Sequence, residues 1–273
     1  MLIPSRPRGF TLVELMVSLG MMSIVAAAVY QLLMTTQRLS RAQLQQADLQ
    51  ARLRAGVLVV DHELRGLSPA DLLVQGVGSL TYRAARGLGF LCQAATATQL
   101  RLGRSEFSGF RDPQAGRDSL LLYLENHTGT PLDDAWLALP VAGVSDAACP
   151  GAGHPGLALT VPSTPALAGV AAGTPLRLFE IMELRLYRSE GSSWLGARSV
   201  TSGEAIQPVV GPLTEADGFQ LDYLDGDNQP AGNADAVRSV RVTLRTSGPG
   251  GSGNGQVGEE LRTEVALRNS ALP

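Results

Sequence analysis

The chain has 273 residues and a formal net charge of −3, with 22 basic residues, all of them arginine, against 25 acidic ones. That balance leaves no field for drawing in a polyanion, so nucleic-acid binding is not expected. The absence of lysine excludes a phosphate loop of the Gly-x4-Gly-Lys kind.

Taken in order, the first informative stretch is residues 10–34. It holds one charged side chain, Glu14, and no proline. At a helical rise of ~1.5 Å per residue it is long enough to cross a hydrocarbon core of ~30 Å. Arg6 and Arg8 precede it without an acidic neighbour, so the positive-inside rule predicts a cytoplasmic N-terminus and places everything after about residue 35 outside. Glu14 is the anomaly. A carboxylate costs about 2.5–3.5 kcal/mol at the bilayer centre, less near its edge, and calls for a partner that no cation in the apolar run supplies.

Arg8-Gly9-Phe10-Thr11-Leu12-Val13-Glu14-Leu15, a short basic leader ending in glycine and followed by an apolar run, resembles the class III signal of the type IV pilin family. The resemblance implies that a prepilin peptidase cuts between Gly9 and Phe10 and N-methylates Phe10. Glu14 then becomes the fifth mature residue and meets the terminal amine of a neighbouring subunit as it joins a filament. The partners implied are other pilins or pseudopilins contacted through the helix, the prepilin peptidase and an inner-membrane assembly platform. Two plainer readings exist. A secretory signal cut near Ala26-Ala27-Ala28 leaves Glu14 unexplained, and an uncleaved signal anchor accounts for the topology but not for the residue order.

Beyond residue 34 the composition turns polar while the helical period persists through Leu39, Ala42, Leu49, Leu53, Val57, Val60 and Leu64. An amphipathic half over 35–66 is therefore expected to continue the membrane half over 10–34. It should end at Arg65-Gly66, with Gly66 as a left-handed cap and Pro69 just beyond. Gly20 and Gly56 mark weak points or points of close packing in this helix.

Residues 67–273 read as a β-rich head, giving an α+β class with a long N-terminal helix packed on antiparallel strands. Short strand-like runs occur at 80–83, 99–102, 119–125, 135–139 and 157–161. Residues 140–175 are poor in charge and rich in Ala, Gly and Pro, and irregular connections are expected there rather than a second core. The C-terminal part is clearer. Residues 176–188 and 219–224 are apolar runs; Val240, Val242 and Leu244 alternate with polar neighbours, as do Leu261, Val265 and Leu267. The Gly-rich segment 247–258 should form a hairpin loop. Gly218-Phe219-Gln220-Leu221-Asp222-Tyr223, the strand from Val237 to Thr243 and the closing Val265-Ala266-Leu267-Arg268-Asn269 resemble the larger minor pilins of the PilW/PulJ type.

Few residues suggest other chemistry. Cys92 and Cys149 lie on the predicted outer side and either form a disulfide or remain buried thiols. Asp222, Asp225 and Asp227 beside Asn228 are a candidate calcium set, although their spacing is not that of an EF-hand and a plain turn uses the same residues. Gly151-Ala152-Gly153-His154-Pro155-Gly156 matches a dinucleotide fingerprint in letters but lacks the following helix. His62, His127 and His154 are too scattered for a zinc site, and Asn126-His127-Thr128 is a bare glycosylation sequon. No cofactor is expected, and no enzyme. The expected function is that of a minor pilin, made as a single-pass inner-membrane precursor with its head extracytoplasmic, then inserted into a pilus to prime or cap it. The alternatives are a type II secretion pseudopilin of the GspJ/PulJ type and, in another class, a membrane-anchored binding protein or adhesin.

Overall fold

The structure is a computed structural model that describes residues 10–125, 134–150, 154–249 and 256–268. The leader with Arg6, Arg8 and Gly9, the sequon with His127, and Gly151 to Gly153 lie outside the described residues. The chain divides into two compact units, Met1–Ala51 with Ser247–Glu259, and Arg52–Thr246 with Glu260–Pro273.

One helix, α1 (Leu12–Arg65), runs for 54 residues. No proline interrupts it, and Leu, Met, Ala and Gln are strong helix formers. Its stretch through Met34 is exposed on every side. In the first unit Leu49 is buried and lies 3.5 Å from the Cβ position of Gly248, while Gln46 Nε2 donates to Glu259 Oε1 at 2.9 Å.

In the second unit the last turns of α1 bury one stripe, Leu53, Gly56, Val60 and Leu64, at the spacing of three and four that returns a residue to the same helix face. Leu58 points away and is 68% exposed. The helix ends at Arg65, where it was expected to, but without the expected cap. Gly66 is not left-handed; the N–H of Leu67 bonds to the carbonyl of Leu64 at 3.0 Å, a tightened last turn, and Pro69 opens a short 3₁₀ turn. Leu67 is itself buried, which fixes the exit without a glycine cap.

Fourteen strands are described: β1 (Leu72–Gln75), β2 (Ser79–Phe90), β3 (Gln99–Gly103), β4 (Ser108–Gly109), β5 (Asp118–Leu124), β6 (Ala135–Pro140), β7 (Gly143–Ala148), β8 (Pro155–Thr160), β9 (Pro175–Ser189), β10 (Ser192–Ser199), β11 (Gln207–Leu213), β12 (Phe219–Leu224), β13 (Ser239–Pro249) and β14 (Gln256–Ala266). The largest sheet runs β1-β2-β9-β10-β11, with β4 on β2 and the β5–β6 pair on β9; two three-stranded sheets are ordered β12-β13-β14 and β3-β8-β7. Adjacent strands of the largest sheet and of β3-β8-β7 pair antiparallel, as β12 and β13 do.

Two cores result. The first joins the α1 stripe to Leu80, Tyr82, Leu184 and Phe219, with Val240, Val242 and Leu244 from β13. The second gathers Leu91, Leu100, Leu102, Leu120, Leu122, Leu159, Leu176 and Leu178. The 15-residue β9 serves both, Leu176 and Leu178 at one end and Leu184 at the other.

The second core corrects the reading of residues 140–175 as irregular connections. β7 and β8 lie there, paired with each other and with β3, and Leu157, Leu159, Val161 and Leu167 are buried. β8 is the strand-like run expected at 157–161, whereas the small residues of β7 look like loop composition; β7 pairs with β8, and β8 with the distant β3. β2 also runs past its expected end at 83. Gly87 and Gly89 resemble a strand terminator in sequence, yet a Cβ at Gly87 would lie 2.6 Å from the Phe107 ring, so glycine is what lets that ring lie on the strand. The expected loop over 247–258 is shorter, since β13 reaches Pro249 and β14 begins at Gln256.

At Gly56 α1 lies close against its own sheets. A Cβ there would lie 2.7 Å from Val210 Cγ1 and 2.8 Å from Leu244 Cδ1. Gly56→Leu should lower stability by about 1–3 kcal/mol through overpacking, despite leucine's higher helix propensity. Gly20→Leu, with nothing within 4 Å of its Cβ position, should cost nothing of the kind; urea unfolding of the detergent-solubilised chain compares the two.

Candidate assembly site

The start of α1 is built by three consecutive requirements. Thr11 is its N-cap residue and Glu14 its third residue. The Thr11 N–H and the Thr11 hydroxyl both donate to Glu14 Oε2 at 3.0 Å, and the Glu14 N–H donates back to Thr11 Oγ1 at 3.3 Å. This is the reciprocal capping box of Thr-x-x-Glu, which satisfies two otherwise orphan donors. Glu14 thus has a local polar partner that the search for a cation in the apolar run overlooked, although Thr11 three residues upstream was a readable signal. Glu14 Oε1 accepts no hydrogen bond among the described residues. One oxygen organises the helix start, and Glu14 is exposed, as is Phe10 at 83%.

The following segment is lined by large apolar side chains in the open, among them Met16, Met21, Ile24, Val29 and Leu32. The helix is long and apolar enough to cross a membrane, with a mean hydropathy of 2.1 over its most apolar window. Ser18, Ser23, Thr35 and Thr36 return their hydroxyls to backbone carbonyls three or four residues earlier, so each of these hydroxyls has a partner within the helix.

Residues 4–30 match the model of the prokaryotic N-terminal methylation motif. The N-terminus is prepilin-like. A prepilin-type signal ahead of an exposed apolar helix is similar to the N-terminus of type IV pilin-like and pseudopilin-like proteins. Neither the curated proteins nor the solved structures provide a match.

The remaining candidates fall out as follows. Cys92 and Cys149 are joined in a disulfide with a Cα–Cα distance of 5.7 Å, tying the chain after β2 to the end of β7. Asp225 organises a turn: its Oδ1 accepts from the N–H groups of Asp227 at 3.0 Å and Gln229 at 2.9 Å, and Asn228 takes a φ of 60°. Asp222 stands apart on β12, opposite Arg241. Among the described residues no group of three His, Cys, Asp or Glu side chains is placed to hold a metal. His62 sits edge-on to Phe110, with ring centroids 6.5 Å apart, at a cleft that Glu63, Arg86 and Arg268 also line. His154 precedes β8 and is exposed.

Sequence reasoning missed a buried charge cluster. Glu180, 1% exposed on β9, accepts from Arg86 Nε at 2.8 Å and from Arg117 Nε at 2.6 Å, with Arg111 Nη2 at 3.4 Å. Asp118, facing it across the β5–β9 pair, takes both Arg111 nitrogens at 2.6 and 2.7 Å and the Gln114 N–H at 2.7 Å. Arg117 reaches on to Glu204. The cluster joins β2, β5 and β9 to the segments before β5 and after β10. A readable signal existed, a carboxylate set between Phe179 and Ile181, but its partners lie up to 94 residues away.

Burial alone would raise the Glu180 carboxyl. The Ser199 hydroxyl beside it and the Arg86 and Arg117 guanidinium groups more than offset that, holding it below the usual carboxylate range. A depressed carboxylate stabilises the fold above its unfolded pKa of about 4.3, and that contribution is lost as pH falls through the lower folded value. Acid unfolding should therefore set in below about pH 4. Arg86→Met, which leaves a buried carboxylate short of a partner, should cost about 3 kcal/mol at neutral pH and move acid unfolding to higher pH; urea titrations across pH measure both.

Proposed function

We propose that the chain is a minor pilin of a type IV pilus. It is made as a prepilin, cut between Gly9 and Phe10, N-methylated on Phe10 and inserted into the fibre to prime or cap it. The carrying observation is Glu14: a carboxylate at the first turn of an apolar helix, within the matched methylation motif, with one oxygen committed to Thr11 and the other open. The new amine of a neighbouring subunit supplies the cation that makes burial of this carboxylate tolerable as the helices pack. The N-terminus stays in the cytoplasm until extraction, and the β-rich unit lies outside. The role is structural, without catalysis or cofactor, and the disulfide fits an extracytoplasmic compartment. A type II secretion pseudopilin uses the same N-terminus, and which fibre carries the chain is one result of the test.

Two measurements decide. Mass spectrometry of the N-terminal peptide should find methylated Phe10 only in cells that hold prepilin peptidase; a chain beginning at Met1, or cut near Ala28, overturns the proposal. Glutamine keeps a capping box while removing the charge, so Glu14→Gln separates the two uses of this residue. If the carboxylate meets an amine, Glu14→Gln and Glu14→Ala should both deplete the chain from sheared fibres by on the order of tenfold or more. If Glu14 serves the cap alone, the glutamine variant enters fibres normally.

A further inference from the structure

Strand β2 changes phase at Arg86. Its register with β9 passes from Ala85, opposite Phe179, to Gly87, opposite Leu178, so Arg86 is an extra residue with no partner across the pair. A bulge of this kind re-aims a side chain. Leu80, Tyr82 and Ala84, which precede it at every second position, are buried in the core that the last turns of α1 cover. The Arg86 carbonyl accepts the Phe110 N–H at 3.1 Å, and the Phe110 ring stands edge-on to His62 near the end of α1. A cleft of about 290 Å³ results, with Leu67 and Ala84 in its apolar lining and Glu63, Arg65, Arg86 and Arg268 in its polar lining. That is the lower end of the size range of small-molecule sites, roughly 300–1,000 Å³.

The charges of the cleft are unequally employed. Arg65 gives Nη2 to both oxygens of Asp61, at 3.0 and 2.8 Å, and Glu63 accepts the buried Tyr82 hydroxyl at 2.8 Å. Arg86 gives its Nε to Glu180 at 2.8 Å. Its side chain is only 16% exposed, yet its Nη1 and Nη2 have no partner among the described residues. Arg268 has no partner there either. A guanidinium largely withdrawn from water, with two parallel donors left over, matches a planar acceptor of two oxygens.

Phosphate suits the cleft less well. Glu63 is a fixed negative charge in the lining, and Asp61 and Glu180 already offset Arg65 and Arg86, so a second charge on the ligand would go unmatched. The Phe110 ring, 76% exposed, offers an apolar surface to the body of a ligand.

We propose that this cleft binds a compact apolar acid. One carboxylate is taken by the terminal nitrogens of Arg86, with Arg268 as the second cation, and its ring or short hydrocarbon body lies along Phe110. Binding there does not require a fibre, so the inference stands apart from the chain being a pilin.

The test uses the full chain in detergent micelles, with a fluorinated phenylalanine in place of Phe110, whose fluorine resonance reports on the cleft. Phenylpropionate should shift that resonance saturably, with a Kd on the order of 0.1–1 mM for a ligand of this size. Phenylpropanamide, the same body without the charge, and inorganic phosphate should each bind more weakly by about tenfold or more. N-acetylphenylalanine carries the same carboxylate and ring on a chain terminus; tighter binding than phenylpropionate makes the occupant the end of a polypeptide, and weaker binding makes it a free acid. Arg268→Gln and Arg86→Lys, the latter keeping a charge beside Glu180 without the fork, should each weaken phenylpropionate by about tenfold. Melting temperatures show whether both variants fold, and Arg268, which takes no part in the Glu180 cluster, stays readable even where Arg86→Lys unfolds. A shift that does not saturate, equal affinity for the amide or for phosphate, or indifference to Arg268→Gln overturns the proposal.

Discussion

One continuous helix has to suit two surroundings, and the rest of the molecule follows from how it does so. Over its first turns the backbone hydrogen bonds close internally, the hydroxyls are returned to carbonyls, and the surface is apolar all round, which is what hydrocarbon demands. Over its last turns it buries a narrow stripe instead and leaves Arg54, Leu58 and His62 outside it. The only ionised group in the apolar part sits at the one place where the helix itself needs an acceptor. Glu14 is costly in lipid yet useful to the first turn, which otherwise carries unpaired N–H groups.

The β-rich unit is organised around β9. Its length lets it carry apolar residues into both cores, and its middle carries Glu180 into the arginine cluster. Replacing that cluster with hydrophobic residues could pack as well or better, since buried ion pairs return little net stability once desolvation is counted. What the cluster does provide is an address. Two connections, before β5 and after β10, are held to one spot because Arg111, Arg117 and Glu204 fit nowhere else. Tyr82 does a similar service for the end of α1, its buried hydroxyl donating to Glu63 at 2.8 Å.

How much of this could be read from the chain follows from the range of the interactions. The helix, its apolar half and the prepilin-like motif over residues 4–30 depend on residues within a few positions of one another, and they were legible. So were the apolar run that became β12 and the alternating runs that became β13 and β14, because one covered face writes a period of two into the latter. β8 was legible as the strand-like run at 157–161, but β7 was not, since Gly, Ser and Ala side chains leave no such period, and the sheet that joins them to β3 spans dozens of residues. The helix ends at Arg65 as expected, but its cap was misjudged, because Gly66 looked left-handed while the buried Leu67 and Pro69 did the stopping. Glu180 was passed over for the same reason as β7: Arg86, Arg111 and Arg117 reach it only through the fold.

The bond between Cys92 and Cys149 closes a loop with a sequence separation of 57 residues, and β3 to β7 lie inside it. A pull transmitted along the chain from its N-terminal helix passes through the sulfur atoms and bypasses everything they enclose. At about 3.4 Å per extended residue, roughly 190 Å of polypeptide is thereby withheld from stretching. Only a reductant, not force, can release that slack, so the part of the second core inside the loop can yield under load without being drawn out into thread.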